Sequence, residues 1–176
     1  MAPSKLRCAF LTMEDSGGWS IDADLAFEPM AELGWHCEWL PWRRSGIDWA
    51  TYDAVYIAAP WDYPQDPDGF LRVLGEIDAS PAILVNDLYL VRWNLAKTYL
   101  RDLEARGALI VPSRWSDASA GNWFDEGGIE KSFRVFGDRI IVKPVISTNA
   151  TDTFLVSNPV AADKSALLQR TFQSRP

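Results

Sequence analysis

The sequence predicts an α/β protein built on a parallel β-sheet covered by helices. Three observations lead there. Short apolar runs recur at Leu6–Met13, Trp35–Leu40, Asp53–Ala59 and Ile83–Val85, as strands buried on both faces of a parallel sheet do. Segments of helical spacing interrupt them in the order strand, helix, strand, strand, helix, strand; that alternation marks parallel strands with helical crossovers. The 176 residues are 48% hydrophobic and 23% charged, a globular balance that excludes extended disorder.

Each element has a local reason. Leu6–Met13 opens the chain as a central strand, and the polar loop Glu14-Asp15-Ser16-Gly17-Gly18 follows it. Asp22–Leu33 has helical spacing in Leu25, Met30 and Leu33, with Gly34 as a stop. Pro29 inside that segment predicts a kink or a late start. In the third strand Val55 and Ile57 suit a buried pleat. Pro60-Trp61-Asp62-Tyr63-Pro64 is a loop by its prolines. Asp66 caps a helix that has Pro67 at its first position and Phe70, Leu71, Leu74 and Ile77 on its apolar face.

The character changes after Asn86, which divides the chain into an N-terminal α/β domain, 1–87, and a second region, 88–176. Leu95–Arg106 reads as a helix ended by Gly107, and Leu109–Pro112 as a short strand. Ser116–Gly128 reads as a loop from its Ser, Gly, Asp and Asn content. Arg139–Val145 and Thr153–Ser157 read as a hairpin around the turn Ser147–Thr151, and Asp163–Phe172 as a final helix.

The net charge of -7 argues against a sequence-independent nucleic-acid binder, which needs clustered Lys and Arg. It leaves room for a local basic pocket. Cys8 and Cys37 are too few for a disulfide scaffold and read as buried thiols of a cytoplasmic protein. No run resembles a signal peptide or approaches the roughly 20 apolar residues of a membrane span. The 9 tryptophans are expected to be packing residues for the most part. His36, the only histidine, lacks any metal-ligand or nucleophile spacing, and no metal site is expected within this chain. The phosphate-binding Gly-Lys-Ser/Thr loop and the dinucleotide Gly-x-Gly-x-x-Gly are absent.

Two lysines stand out by position. Lys97 lies in the first turn of the Leu95 helix, and Lys143 in the apolar strand Ile140-Ile141-Val142-Lys143-Pro144. A lysine in an apolar strand needs an anion or a route to solvent; a phosphate is one such anion, and an edge strand is the alternative. Ser147, Thr148, Asn149 and Thr151 form a small polar turn that either presents donors to a phosphate or is an ordinary hairpin loop. Asp15, Trp61 and Asp62 follow strands whose carboxyl ends line the ligand crevice of a doubly wound sheet; the Trp61 loop also reads as a packing corner.

The run Val91-Arg92-Trp93-Asn94-Leu95-Ala96-Lys97-Thr98-Tyr99-Leu100, then Leu103–Ala108 and Ile110–Ser113, then Ile141-Val142-Lys143-Pro144-Val145-Ile146-Ser147 resembles the start of an ATP-grasp domain. The group most similar is that of glutathione synthetase, ribosomal-protein glutamate ligase and the cycloserine-forming ligase. The resemblance implies a Rossmann-like pre-ATP-grasp domain over 1–87 and a first, incomplete ATP-grasp subdomain over 88–176. It implies ATP as cosubstrate, Lys97 and Lys143 as the nucleotide lysines, and Ser147, Asn149 and Thr151 in the loop that closes over the phosphates. Asp15, Trp61 and Asp62 would help bind a small carboxylate or amine substrate. The family loop is glycine-rich, whereas this one has Thr148-Asn149-Ala150. Mg²⁺ would also be used, with its carboxylate ligands expected outside this chain, so the resemblance implies a truncated ligase, inactive alone. The surface where a missing half would dock leaves room for a homo-oligomer. The rival expectation is a non-catalytic α/β binding or interaction module.

Overall fold

The computed structural model describes residues 6–116 and 128–173. The chain divides into two compact units, 1–95 and 96–176.

The first unit is a four-stranded sheet of β1 (Leu6–Thr12), β2 (Trp35–Pro41), β3 (Ala54–Ala59) and β4 (Ile83–Val85), in the order β2-β1-β3-β4. All three pairings are parallel. β1 is central because its run is apolar on both faces. Ala9 and Leu11 pack with Val55 and with Phe70, Leu74 and Ile77 of α2 (Pro67–Asp78). Cys8 and Phe10 face the other side, with Phe27 and Met30 of α1 (Phe27–Glu32) and Trp39 of β2. The register between β1 and β3 jumps at the carboxyl end, where Leu11 sits opposite Ile57 but Thr12 opposite Ala59. β3 thus carries one extra residue there, Ala58.

Most expected elements are present. Before α1 the chain makes a 3-10 turn at Asp22–Ala26, so the helix starts late. Pro29 then falls in the first turn of α1, where no N–H is needed. Asp66 caps α2 by accepting from Gly69 N at 2.9 Å, with Pro67 at the first position. Gly69 is required there, because a Cβ would collide with the Asp66 carboxylate. The thiols of Cys8 and Cys37 are free on adjacent strands in register. Burial, with Cys37 alongside, pushes the Cys8 thiol up to about 11.

Two helices were not expected. α3 (Leu88–Asn94) is capped by Asp87, whose carboxylate accepts from Leu90 N at 2.8 Å, and it buries Leu88 and Val91. α5 (Gly128–Phe136) buries Ile129 and Phe133, an i, i+4 pair on one face.

The second unit, 96–176, holds α4 (Tyr99–Ala105), α5, the antiparallel pair β5 (Arg139–Val142) and β6 (Phe154–Ser157), and α6 (Ala162–Gln173). Its core joins Ile129 and Phe133 to Ile140, Val156 and Leu168. Several expectations are corrected here. The Leu95 helix begins only at Tyr99, so Lys97 lies in the turn between α3 and α4, not in a first helical turn. Gly107, with φ 87, still ends that helix. Leu109–Pro112 is not a strand: Leu109 and Val111 are exposed, and no ladder includes them among the described residues. β5 stops at Val142, because Pro144 has no N–H to donate; Lys143 therefore lies just past the strand and is exposed. The expected loop Ser116–Gly128 falls mostly outside the described residues, and Gly128 itself belongs to α5.

Candidate functional site

The second unit brings Lys97 and Lys143 together. Lys97 docks on the segment after β5 through both backbone and side chain. Its N–H donates to Val145 O at 2.8 Å. Its Nζ donates to Ser147 Oγ at 2.7 Å, Ser147 O at 3.0 Å and Val145 O at 3.4 Å. Half-buried, Lys97 has its ammonium held below the ordinary lysine range, by burial first and by the neighbouring charge of Lys143 second. All three described ion pairs lie in the first unit, and none involves either lysine. Two like charges, one half-desolvated and neither neutralised by a carboxylate, raise the local potential in favour of an anion.

The loop between β5 and β6 has an unusual backbone. Asn149, Ala150 and Asp152 have φ of 50°, 56° and 54°. Thr151 N donates to Thr148 O at 2.9 Å and Thr153 N to Ala150 O at 3.1 Å. Two consecutive left-handed residues closed by an i to i+3 bond form the tight turn that suits a two-stranded hairpin. Asn and Asp tolerate this region, but for Ala150 it costs about 1–2 kcal/mol. Glycine would take these angles freely. The sequence therefore departs from a glycine-rich loop in residue type while the backbone keeps a glycine-like path.

The expected substrate residues lie in the first unit, at the carboxyl ends of neighbouring strands β1 and β3. Asp15 is exposed and accepts from Gly17 N at 2.8 Å, shaping its own turn. Asp62 accepts from Trp42 Nε1 at 2.6 Å and Arg43 Nε at 3.0 Å. Arg43 also pairs with Asp66 at 3.5 Å and stacks 4.1 Å from the Trp42 ring centroid. The Asp62 carboxylate thus ties the loop after β2 to the loop after β3, and Trp61 beside it is half-buried.

Sequence reasoning missed a cleft of about 310 Å³ lined by Thr12, Met13, Glu14, Ser16, Trp19, Ile21, Asp24 and Trp39. Its only advance signal was the number of tryptophans. Trp42 and Trp49 are buried, whereas Trp19 is 60% exposed.

Two ammonium groups beside a turn of small polar residues fit the phosphates of ATP by charge and donor chemistry. Magnesium is a different matter: among the described residues no group of three or more His, Cys, Asp or Glu could hold a metal ion. No step below is routed through one.

Fold and site together define a class, the N-terminal part of an ATP-grasp protein. The chain superposes on the crystal structure of D-cycloserine synthetase DcsG with a TM-score of 0.72 at 24% identity, over 95% of this chain and 54% of that one. It superposes on a RimK domain ATP-grasp protein from Sphaerobacter thermophilus with a TM-score of 0.65 at 15% identity, over 96% of this chain and 61% of that one. More particularly, residues 8–86 match the family model of the D-cycloserine synthetase DcsG N-terminal domain. The cycloserine biosynthesis protein DcsG of Streptomyces lavendulae is 30% identical over 98 residues. Those residues are 53% of this chain, which spans only 32% of that relative. No helix among the described residues is long and apolar enough to cross a membrane.

Proposed function

We propose that this chain supplies the phosphate-binding front part of a cytoplasmic, ATP-dependent carboxylate–amine ligase. The observation that carries the reading is the Lys97 ammonium, seated on Ser147 beside the Lys143 charge with no carboxylate pairing either. In such a reaction a substrate carboxylate oxygen attacks the γ-phosphorus. The bond from that phosphorus to the bridging oxygen breaks, leaving ADP and an acyl phosphate. An amine then attacks the acyl carbon, phosphate departs, and the amine loses a proton as the C–N bond forms. The protein's part is positioning and charge stabilisation.

Lys97 is a point charge held by its backbone contact to Val145, so it meets phosphate without much loss of freedom. Lys143, exposed, neutralises charge from the solvent side. An incoming phosphate oxygen takes over the Lys97 proton now given to Ser147 Oγ, and frees that hydroxyl to donate in turn. Asn149 and Thr151 border the same turn. Asp15, Trp61 and Asp62 serve the acceptor substrate in this reading, Asp62 by fixing the loop geometry. The functional boundary falls at 87/88, supported by the end of the matched family model at 86 and by the Asp87 cap of α3. Magnesium ligands lie outside this chain, and these 176 residues alone bind nucleotide without turning it over.

The test is titration of the chain with ADP and ATP, followed by ADP release with candidate amino acids. Saturable nucleotide binding that Lys97→Ala weakens at least tenfold, without turnover, supports the reading. Nucleotide binding indifferent to Lys97 and Lys143 refutes it and leaves the lysines as fasteners of an interaction module. Steady ADP release by the chain alone refutes the inactivity.

A further inference from the structure

We propose that the cleft at the carboxyl end of β1 binds a small ligand carrying an ammonium group. The cleft lies wholly within the first unit, so the proposal stands apart from the nucleotide site and does not depend on it.

Thr12 is the first observation. Strand alternation puts its side chain on the face of Phe10 and Trp39, and it lines the cleft. The residue is only 7% exposed, and its hydroxyl makes no hydrogen bond among the described residues. Buried hydroxyls in native folds nearly always have a partner. Here the space in front of this one is the cleft, so a ligand atom is the partner the geometry offers.

The charge pattern is independent of that observation and selects the sign. Glu14 and Asp24 line the cleft, and no Lys, Arg or His does. From Cys8 to Trp42 the sequence holds Glu14, Asp15, Asp22, Asp24, Glu28, Glu32 and Glu38, and no Lys or Arg. A field of one sign at a concave site concentrates ligands of the other. Glu38 alone among these pairs with a described cation, Arg7, at 2.6 Å.

The aromatic residues narrow the class further. Trp19 and Trp39 both line the cleft. Trp39 is held edge-on by Phe10, ring centroids 5.7 Å apart and planes at 80°. Trp19 is set by a turn in which its N–H donates to Ser16 O at 3.1 Å, with Gly17 and Gly18 at φ 59 and 83. An indole face flanked by carboxylates suits a desolvating ammonium better than a neutral or anionic group. At about 310 Å³ the cleft is at the small end of ligand sites, which run from about 300 to 1,000 Å³. That size fits a compound of amino-acid dimensions.

The experiment uses the full chain and three matched probes: serinamide, N-acetylserinamide and glycerate. At about pH 6, below the ordinary α-amino range, serinamide is an ammonium, whereas its acetyl derivative is neutral and glycerate an anion. Indole N–H resonances are followed by NMR, with Trp19→Phe assigning the first of them. Expected are saturable shifts of Trp19 and Trp39 with serinamide, at least tenfold weaker binding of the acetyl derivative, and none of glycerate. Glu14→Gln and Asp24→Asn, both at exposed positions, should each weaken serinamide by about threefold to tenfold. Thr12→Val, nearly isosteric, should weaken it by about fivefold without lowering the thermal midpoint. The proposal is overturned if the probes shift the indoles alike, if glycerate binds best, or if the three substitutions leave serinamide affinity unchanged.

Discussion

The two units treat their charges in opposite ways. In the first, the described cations that matter to the fold have carboxylate partners: Arg7 with Glu38, and Arg43 with Asp62 and Asp66. These contacts join β1 to β2 and the loop after β2 to the loop after β3. In the second, Lys97 rests on a hydroxyl and two carbonyl oxygens, with the like charge of Lys143 alongside. Where a charge meets its opposite within the fold, it shapes the scaffold. Where it meets only neutral acceptors and its own sign, its best partner is still to come from solution.

The sharpest way to break this contrast is at Asp62. Asp62→Ala strands the N–H of buried Trp42 and unpairs Arg43; an unsatisfied buried donor costs about 1–3 kcal/mol. Urea unfolding should show a loss of about 2–3 kcal/mol, with nucleotide affinity unchanged and Asp62→Asn recovering most of the stability. Next in size is Lys97→Ala, expected to reduce nucleotide affinity by about tenfold to a hundredfold, since a hydrogen bond to a charged group contributes about 1.5–3 kcal/mol. Its unfolding free energy should change by less than that of Asp62→Ala, which reverses the ranking seen in binding.

Ala150→Gly sharpens the contrast on the backbone side. Relief of about 1–2 kcal/mol of left-handed strain outweighs the extra freedom glycine gains in the unfolded chain, about 0.4–1 kcal/mol. Denaturation should report a net gain of about 0.5–1 kcal/mol. A smaller effect lies in pH. The folded pKa of Lys97 is below its unfolded value, so raising the pH through that window removes a charge the fold tolerates poorly, and intrinsic stability rises. Nucleotide affinity should fall over the same window, because the ammonium is lost. Lys143→Ala removes a like charge and should move the fall to higher pH, as isothermal titration across a pH series would show.

Much of the first unit was legible because its signals are local. Asp66-Pro67 announces a cap and a first helical position, and Ile83–Val85 is bounded exactly as its apolar run is. α3 was missed because Leu88, Tyr89 and Leu90 read as one apolar block, and only Leu88 and Val91 are buried. α5 has a clear i, i+4 pair in Ile129 and Phe133, masked by the loop-like composition before it. Leu109–Val111 has a strand's composition but no ladder partner among the described residues, and composition cannot supply one. At the site, the two lysines were found by position, but the seat of Lys97 on Ser147 is a contact across 50 residues. The left-handed angles of Asn149, Ala150 and Asp152 carried no glycine to reveal them. The Thr12 cleft was hidden because its lining draws on three separate stretches of chain.

The extra residue Ala58 has a consequence for how this architecture can vary. Side chains along a strand alternate with a period of two, so one residue more or less reverses which face each later one occupies. Ala58 sits between the β3 residues paired with Leu11 and with Thr12, immediately upstream of Trp61 and Asp62. Deleting it would exchange inside for outside over the following residues and swing Asp62 away from the Trp42 indole. Point replacements in the Trp61 loop are thus compatible with the scaffold, whereas single-residue length changes in β3 are not. Descendants of this chain should diversify there by side chain and hold their spacing constant.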